Sequence, residues 1–231
     1  MSLKKLIDVT YKMNLDIFIN NLSLLNFGNA SSFDRKNNLV FIKASGISRE
    51  TLSKRNIVYG KINHDCSFKK NKACKFIESV DTVMHTYLYK NLENINHIVH
   101  THSTFATVCA QLNLEPYNFG TTHSDYFYDK IPISKQIKKI NKNYEIQLGE
   151  SIVSVIKKKK FLPPGILLNN HGVLSWGCNP KEAIDRAIAI ELICKFFYLS
   201  YLVKKKPKIT NSLKRFHYLR KNGKFSSYGQ K

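Results

Sequence analysis

Residues 95–113, INHIVHTHSTFATVCAQLN, predict a β-strand that leads directly into an α-helix. Side chains two residues apart in a strand point to the same face, so His100 and His102 point together and His97 lies off any site that they form. A His-x-His pair on a strand is typical of half a zinc or other transition-metal site, because imidazole nitrogens bind such ions. The pair alone leaves a hydrogen-bonded, histidine-rich strand equally open.

Strand and helix patterns alternate loosely on both sides of this unit. An amphipathic helix is predicted over 2–21 from the spacing of its apolar residues. A second helix begins after Asn179, a capping residue followed by Pro180, and is expected to run to about Lys205. Segments 26–34 and 62–77 are rich in turn or polar residues and are predicted to be loops. Further strands are predicted at 38–46, 56–60 and 163–172, and further helices at 79–91 and 148–160, which indicates one α/β layered domain.

The composition is that of a globular protein without a membrane span. Hydrophobic residues make up 43% of the 231 residues, and no stretch reaches the roughly 18 uninterrupted apolar residues that a span needs. The N-terminus lacks the apolar core and cleavage site of a signal peptide. Five cysteines without a CxxC pair argue against a disulfide framework and for a reducing compartment. We therefore expect a cytoplasmic protein that does not bind membranes.

The formal net charge of +21 raises the question of nucleic acid. Only six of the 37 cationic residues are arginine, the residue that most often reads bases, and no DNA- or RNA-binding motif is present. We therefore expect no nucleic-acid partner, and expect the charge to attract an anionic substrate. Tight DNA binding at physiological salt would restore the alternative, a nucleic-acid-binding or structural protein.

Two other residues are candidates to complete a metal site. His171 follows a predicted apolar strand and precedes a glycine, and Asp81 stands near the start of the helix before the histidine strand. Three histidines and a carboxylate with one exchangeable position form a Lewis-acid site. From spacing alone, both assignments are guesses.

Two glycine-containing turns are candidates for anion binding. Backbone N–H groups in such turns can surround a phosphate, and a lysine in one of them adds charge. An ordinary loop is the simpler interpretation of each turn taken alone. The turns are FGNASS (27–32), with Gly28 and Asn29, and KASG (43–46), with Lys43, Ser45 and Gly46.

Several motifs together resemble a known family, the class II aldolase/epimerase family, and within it the L-ribulose-5-phosphate 4-epimerase branch. The resemblance extends from about residue 15 to Gln230. The wider family shares the His-x-His and His-Gly motifs, whereas the motif at 120–128 and the tail are more specific to the epimerases. The motifs are GNAS (28–31), KASG (43–46), DTVMHTYLY (81–89), IVHTHSTFATVCA (98–110), GTTHSDYFYDKIP (120–132), NNHGVLSWG (169–177) and HYLRKNGKFSSYGQ (217–230).

The resemblance implies a single-domain class II aldolase-like fold over residues 1–231, with a central, mostly antiparallel sheet between helices. It implies Zn²⁺, or Mn²⁺ or Co²⁺, held by Asp81, His100, His102 and His171. It also implies a homotetramer in which the tail, about 208–231, contributes to a neighbouring subunit's site. Implied acid/base residues are Asp125 and the tail residue Tyr228; implied substrate contacts are Gly28, Asn29, Lys43, Ser45, Gly46, Ser79 and Val80; Glu145 and His217 match positions near the substrate.

The reaction that the resemblance implies is epimerisation of L-ribulose 5-phosphate, a phosphorylated ketopentose, to D-xylulose 5-phosphate. The C4 hydrogen is not acidic, so inversion requires retro-aldol cleavage of C3–C4, rotation of the aldehyde fragment and re-addition. L-Arabinose and L-ascorbate breakdown both use such epimerases. The alternative within the family is a class II sugar-phosphate aldolase resembling the fuculose-phosphate enzymes. Those aldolases commonly have glutamate where this chain has Asp81.

Two departures from the family pattern are KASG (43–46), where the family usually has KPSG, and ESVD (78–81), where it usually has PSSD. Val80 replaces a serine expected to contact phosphate, and Glu78 replaces a proline. We expect Val80 to remove one side-chain hydrogen bond and Glu78 to repel the phosphate. Both changes predict weaker substrate binding with unchanged chemistry.

Overall fold

The predicted histidine strand lies inside a seven-stranded sheet in the computed structural model, which describes residues 1–138, 140–203, 207–222 and 226. The strands are β1 (Asn29–Asp34), β2 (Leu39–Lys43), β3 (Ile57–Ile62), β4 (Phe68–Lys70), β5 (His97–Thr101), β6 (Gly165–Leu168) and β7 (Gly172–Gly177). They are arranged in the order β4-β3-β2-β1-β5-β7-β6. Each neighbouring pair is antiparallel, as the family resemblance implies.

Helices cover both faces of this sheet. They are α1 (Leu3–Ile19), α2 (Thr82–Asn91), α3 (Thr104–Gln111), α4 (Thr121–Tyr126), α5 (Tyr144–Ile156), α6 (Pro180–Val203) and α7 (Asn211–Asn222). Ile98 of β5 packs into a core formed with α2 and α5. The next residue, Val99, packs on the other face against α1 and α6. The prediction of a single α/β domain with its sheet between helices is therefore confirmed.

The ends of the first and the longest helix agree with the capping residues in the sequence. Ser2 caps α1, where its hydroxyl accepts a bond from the Lys5 N–H at 3.3 Å. Asn179 caps α6, where its side-chain oxygen accepts a bond from the Glu182 N–H at 2.9 Å. The predicted final residues of α6, 204 and 205, lie outside the described part of the chain. None of the described helices combines the length and apolarity needed to cross a membrane.

The prediction of a loop at 26–34 was wrong, because Asn29–Asp34 forms strand β1 in the middle of the sheet. β1 pairs with β2 on one side and β5 on the other. The Ser31 hydroxyl lies 2.7 Å from both His85 Nδ1 and the Tyr89 hydroxyl, so this polar side chain is satisfied inside the core. These long-range bonds outweigh the tendency of Asn, Ser and Asp to form local turns. Within the second predicted loop, 62–77, residues Phe68–Lys70 form the edge strand β4, which pairs with β3.

His97 lies on the face of β5 opposite to His100 and is buried there. Its Nδ1 is 3.0 Å from the Ser32 hydroxyl, and that hydroxyl accepts a bond from Thr10 of α1. Burial lowers the pKa of His97 to about 4. The unfolded chain, with a histidine pKa of roughly 6.5, therefore binds a proton between pH 6.5 and 4 that the folded chain does not bind.

We expect the protein to lose stability as pH falls from about 6.5 to 4, in part because of His97. The contribution of one such histidine is at most about 1.4 kcal/mol per pH unit. A His97→Asn variant keeps a polar partner for Ser32 but removes the titration, so its free energy of unfolding should fall less steeply with acid. Urea denaturation across this pH range in the presence of a chelator measures the two slopes. Parallel slopes would contradict the assignment.

Candidate active site

Three histidines converge where strands β5, β6 and β7 meet. His100 lies in β5, His102 follows two residues later, and His171 lies in the turn between β6 and β7. Their ring centroids are 4.9–5.0 Å apart. One nitrogen from each ring lies within 4.8 Å of the other two. The structure thus brings together residues that are 71 positions apart in the sequence, counted from His100 to His171.

Gly172 allows β7 to approach the histidines this closely. A Cβ atom at this position would lie 2.6 Å from the Thr101 carbonyl and 3.2 Å from the His102 ring. Contacts shorter than 3.0 Å between a Cβ and backbone are not tolerated, so any larger residue would push β7 away from β5. The His-Gly pair at 171–172 is therefore a packing requirement of the cluster.

The donor set of the three histidines fits a metal ion. His100 Nδ1 lies 3.1 Å from the Val173 carbonyl, which can only accept, so this nitrogen carries the proton and Nε2 keeps its lone pair. That Nε2 faces His102 Nε2 at 3.1 Å. His171 Nδ1 is buried and has no hydrogen-bond partner among the described residues. A buried imidazole nitrogen without a partner is unfavourable unless a ligand such as a metal ion occupies the space beside it.

Burial also keeps these rings neutral. It lowers the pKa of His171 to about 4, and the neighbouring His100 lowers it further. Burial likewise lowers the pKa of His100 and of His102. Only a neutral imidazole can donate its lone pair to a metal ion, so the cluster is in its metal-binding protonation state at neutral pH.

Asp81 lies just before α2 and is buried beside the cluster. Its Oδ2 accepts bonds from Asn29 Nδ2 at 2.6 Å and from the Ser79 hydroxyl at 3.3 Å. Burial alone would raise the pKa of this carboxyl, but the nearby histidines, chiefly His100, and the Asn29 bond lower it below its usual value. The compact group of ligand atoms comprises the three histidines and not Asp81. Asp81 is thus a charged carboxylate held at the side of the cluster by two hydrogen bonds.

The three histidines and Asp81 line a cavity of about 230 Å³. Every residue predicted to bind metal or to contact the substrate through the phosphate turns lies on its wall. The lining comprises Asn26, Phe27, Gly28, Asn29, Lys43, Ala44, Ser45, Gly46, Ser79, Val80, Asp81, His100, His102 and His171. Segments far apart in the sequence therefore form one concave surface.

Only some of the backbone amides expected to bind an anion are available in this cavity. The Ser45 N–H donates to the Ile77 carbonyl at 3.0 Å, and the Ser79 N–H donates to the Lys43 carbonyl at 3.2 Å. The amides of Gly46 and Val80 donate to no other described residue. Gly46 has a φ of +71°, in the left-handed region that favours glycine. Two amides and the Ser45 hydroxyl remain as donors toward the cavity, since the Ser79 hydroxyl already donates to Asp81.

Lys43 is a buried cation in the cavity wall. Its Nζ donates to the carbonyls of Asn26 at 2.9 Å and Ile47 at 3.0 Å, which leaves one of its three protons for a ligand. Burial lowers its pKa to about 8, whereas the charge of Asp81 raises it. Glu145 of α5, predicted to lie near the substrate, does not line this cavity. Burial, and to a smaller extent Asp81, raise its pKa to about 7.

Asp125 lies apart from this cavity. It belongs to α4 and is held by α7: its Oδ1 is 3.2 Å from His217 Nδ1 and 3.7 Å from Arg220 Nη2. Its backbone carbonyl accepts a bond from Asn222 at 2.8 Å. The predicted residues Asp125 and His217 are therefore in contact with each other. Neither of them lines the histidine cavity. Tyr228, the second predicted acid/base residue, lies outside the described residues.

Two features of the site were not predicted from the sequence. Phe27 stacks on His102, and His85 of α2 contacts Ser31 of β1, the strand that pairs with β5. His85 stands four positions after Asp81, one helical turn along α2, a spacing that indicates a shared face. Phe27 immediately precedes the GNAS motif but shows no periodic pattern of its own.

Comparisons with known proteins agree with this architecture. The sequence model of the class II aldolase and adducin N-terminal domain family matches residues 10–198. Among solved structures, an L-fuculose 1-phosphate aldolase superposes with a TM-score of 0.79 at 20% identity, covering 95% of this chain and 97% of that one. YgbL from Escherichia coli superposes with a TM-score of 0.71 at 18% identity, covering 93% and 98%. L-Fuculose 1-phosphate aldolase from Glaciozyma antarctica PI12 superposes with a TM-score of 0.74 at 14% identity, covering 96% of this chain and 84% of that one.

Proposed function

Because the chain belongs to the class II aldolase and adducin N-terminal domain family, we propose that it is a metal-dependent enzyme that epimerises L-ribulose 5-phosphate at C4. The observation that carries this proposal is the convergence of three neutral histidines at a cavity whose wall also holds a buried lysine and free amides. That combination suits a substrate with one metal-chelating end and one phosphate. The sequence motifs at 120–132 and 217–230, which resemble the epimerase branch, select epimerisation among the reactions of the family.

His100, His102 and His171 would hold the metal, with Asp81 as the fourth ligand. The lone pair of His100 Nε2 and the unpartnered, buried Nδ1 of His171 support this assignment. A divalent ion such as Zn²⁺, Mn²⁺ or Co²⁺ at this position supplies Lewis-acid stabilisation of the negative charge that develops when C3–C4 breaks. The Asp81 carboxylate also reduces the net positive charge of the site.

The polar wall opposite the histidines would bind the phosphate. Its donors are the amides of Gly46 and Val80, the Ser45 hydroxyl and the remaining proton of Lys43. Retaining the phosphate matters for epimerisation, because the aldehyde fragment must turn over without leaving before the C3–C4 bond forms again. Asn29, held against Asp81, would orient the hydroxyl end of the substrate.

Asp125 and Tyr228 would move the proton of the C4 hydroxyl on opposite sides of the aldehyde. One group removes that proton as C3–C4 breaks; after the aldehyde has rotated, the other returns a proton to the new hydroxyl. Asp125 is held by α7, and the tail with Tyr228 begins only a few residues after this helix. Asp125 therefore lies apart from the subunit's own histidine cavity, and Tyr228 follows α7 in the sequence. This separation supports a site completed by a neighbouring subunit.

Two exposed apolar surfaces support a homo-oligomer, which we propose is a tetramer in the cytoplasm. One borders the cavity mouth, where Leu24, Leu25, Ile77 and Val80 are each at least 70% exposed. The other lies on α6 and α7 and includes Phe196, Leu199, Leu202, Leu213 and Phe216. Exposed apolar patches of this kind mark interaction surfaces. Pairing one with the other would bring α7 of one copy to the cavity mouth of the next.

A sugar-phosphate aldolase is the second candidate, because the similar structures include L-fuculose 1-phosphate aldolases. Zinc-loaded protein should convert L-ribulose 5-phosphate to D-xylulose 5-phosphate, detected with a coupled transketolase assay. A parallel reaction with L-fuculose 1-phosphate should release no dihydroxyacetone phosphate. The reverse pattern would establish the aldolase, and no turnover of either substrate would reject both.

Val80 is expected to limit phosphate binding. Its side chain is 72% exposed at the cavity, and it offers no hydrogen bond there. A Val80→Ser variant should lower KM about three- to tenfold, the value of one added hydrogen bond, with kcat unchanged. Steady-state kinetics measures both constants, and an unchanged KM would count against a phosphate at this wall.

Glu78 was also expected to weaken phosphate binding, through charge repulsion. Its carboxylate forms an ion pair with Lys70 at 3.6 Å. The positive charge of Lys70 offsets that repulsion, so we propose no substitution at Glu78.

A further inference from the structure

Phe27 covers one face of the His102 ring. The two rings are nearly parallel, with an interplanar angle of 7° and a centroid separation of 5.7 Å. Phe27 lines the cavity, yet 49% of its surface is exposed. A half-exposed aromatic ring on a polar cavity wall contributes little to core packing. Its position against a candidate metal ligand therefore suggests a role in the site.

The histidines of the cluster are held in different ways. His100 is buried, and its Nδ1 donates to the Val173 carbonyl at 3.1 Å. Such a bond from the second ring nitrogen is the usual means of orienting a metal-ligating histidine. His102 is only half-buried, and within the described residues its Nδ1 makes no hydrogen bond to protein. The Phe27 ring stacks on the His102 ring instead.

The loop that carries Phe27 is itself well held. The Phe27 N–H donates to the Leu24 carbonyl at 3.1 Å, and the neighbouring Asn26 carbonyl accepts a bond from buried Lys43 at 2.9 Å. Gly28 follows with a φ of +72°, and a Cβ there would lie 2.6 Å from the Ser23 hydroxyl. The same hydroxyl accepts a bond from the His102 N–H at 3.3 Å. The loop therefore contacts His102 twice: Ser23 accepts a hydrogen bond from the His102 backbone, and Phe27 stacks on the His102 ring.

We propose that Phe27 is a positioning residue that fixes the ring of His102 and so increases the affinity of the histidine cluster for a divalent transition metal. This inference rests on the proposed function only in requiring that the cluster binds metal. The flat ring limits rotation of His102 about its Cβ–Cγ bond, which keeps His102 Nε2 directed toward His100 Nε2. A planar side chain is needed for this, whereas mere apolar bulk is not sufficient.

The test compares the zinc affinity of full-length variants without substrate, by competition with a chromophoric chelator. Phe27→Ala and Phe27→Leu should bind zinc about tenfold more weakly than wild type, the usual effect of losing a residue that orients a ligand. Phe27→Trp, which keeps a planar face, should stay within about twofold. Phe161→Ala, at a residue 66% exposed and not in the cavity lining, is the matched control and should bind as wild type does. The Co²⁺ absorption bands should shift in Phe27→Ala and Phe27→Leu only.

Thermal unfolding of the metal-free proteins shows whether the variants fold. We expect the unfolding temperature to be unchanged, because Phe27 is half-exposed. Equal zinc affinity of wild type and Phe27→Ala would overturn this inference alone. Affinity in Phe27→Leu equal to that in Phe27→Trp would overturn the role of the planar face. Absence of zinc binding in the wild type would overturn both this inference and the proposed metal site, so the two failures are distinguishable.

Discussion

A His100→Asn variant is expected to bind zinc at least 100-fold more weakly than the wild type and to lose nearly all activity. His100 Nε2 carries a lone pair because Nδ1 donates to the Val173 carbonyl. The asparagine side chain places an N–H close to the position of Nδ1, so that bond to Val173 can persist. It has no atom at the position of Nε2, so the ligand alone is removed. Loss of one ligand from a zinc site removes several kcal/mol of binding energy.

The matched control for this experiment is His97→Asn on the same strand. His97 is also buried and also hydrogen-bonded, but it faces Ser32 on the opposite side of the sheet. Zinc affinity from chelator competition and metal content after dialysis should be unchanged in His97→Asn. If both variants bind zinc equally well, His100 is not a ligand. If both variants lose zinc affinity to the same extent, the loss comes from damage to β5.

An Asp125→Asn variant is expected to lower kcat by a factor of about 10² to 10⁴, the range for loss of one general acid/base group. Zinc affinity should be unchanged, because Asp125 lies outside the histidine cavity. The amide has the shape of the carboxylate and can still accept a bond from Arg220 or His217, but it cannot take up a proton. Asp129→Asn, an exposed neighbour four residues along, is the matched control. Full activity in both Asp125→Asn and Tyr228→Phe would contradict the acid/base assignment.

Mixed oligomers test whether Asp125 acts in a neighbouring subunit. Asp125→Asn and His100→Asn chains are each expected to be inactive alone. When they are unfolded and refolded together, some sites would combine an intact histidine cluster from one chain with an intact Asp125 from another. Recovered activity would support a shared site. An active oligomer of wild-type chains combined with no recovery in the mixture would place Asp125 and the cluster within one chain's own site.

The sequence predicted best where the decisive interactions are local. The two-residue repeat of a strand was enough to separate His97 from His100 and His102, and the structure places them on opposite faces of β5. The cap at Asn179 was enough to start α6. Failures occurred where long-range pairing decides. Asn29–Asp34 has the composition of a turn but forms a strand, because β2 and β5 supply hydrogen bonds on both of its edges.

The candidate site shows the same division. Residue types by themselves indicated His171 and Asp81 as candidate metal ligands and the glycine turns as candidate anion-binding groups. The indication was weak, because nothing in their spacing along the chain brings them together. The resemblance of several ordered motifs implied that they share one site. It did not reveal Phe27, because a stacked ring has no signature along the chain. It also did not show that the Ser45 and Ser79 amides are already bonded to backbone carbonyls.

The sequence by itself determined the chemical groups, the side of the strand that His100 and His102 face, and the family of the chain, because these depend on residue identity and on the local repeat of the backbone. Tertiary structure alone decided that His171 meets them. This depends on the register in which His100 opposes Leu174 across β5 and β7. Packing of the whole sheet sets that register, and Gly172 permits the close approach. Tertiary structure likewise separated Asp125 from the histidines, because α7 holds Asp125 through contacts about 90 residues away along the chain.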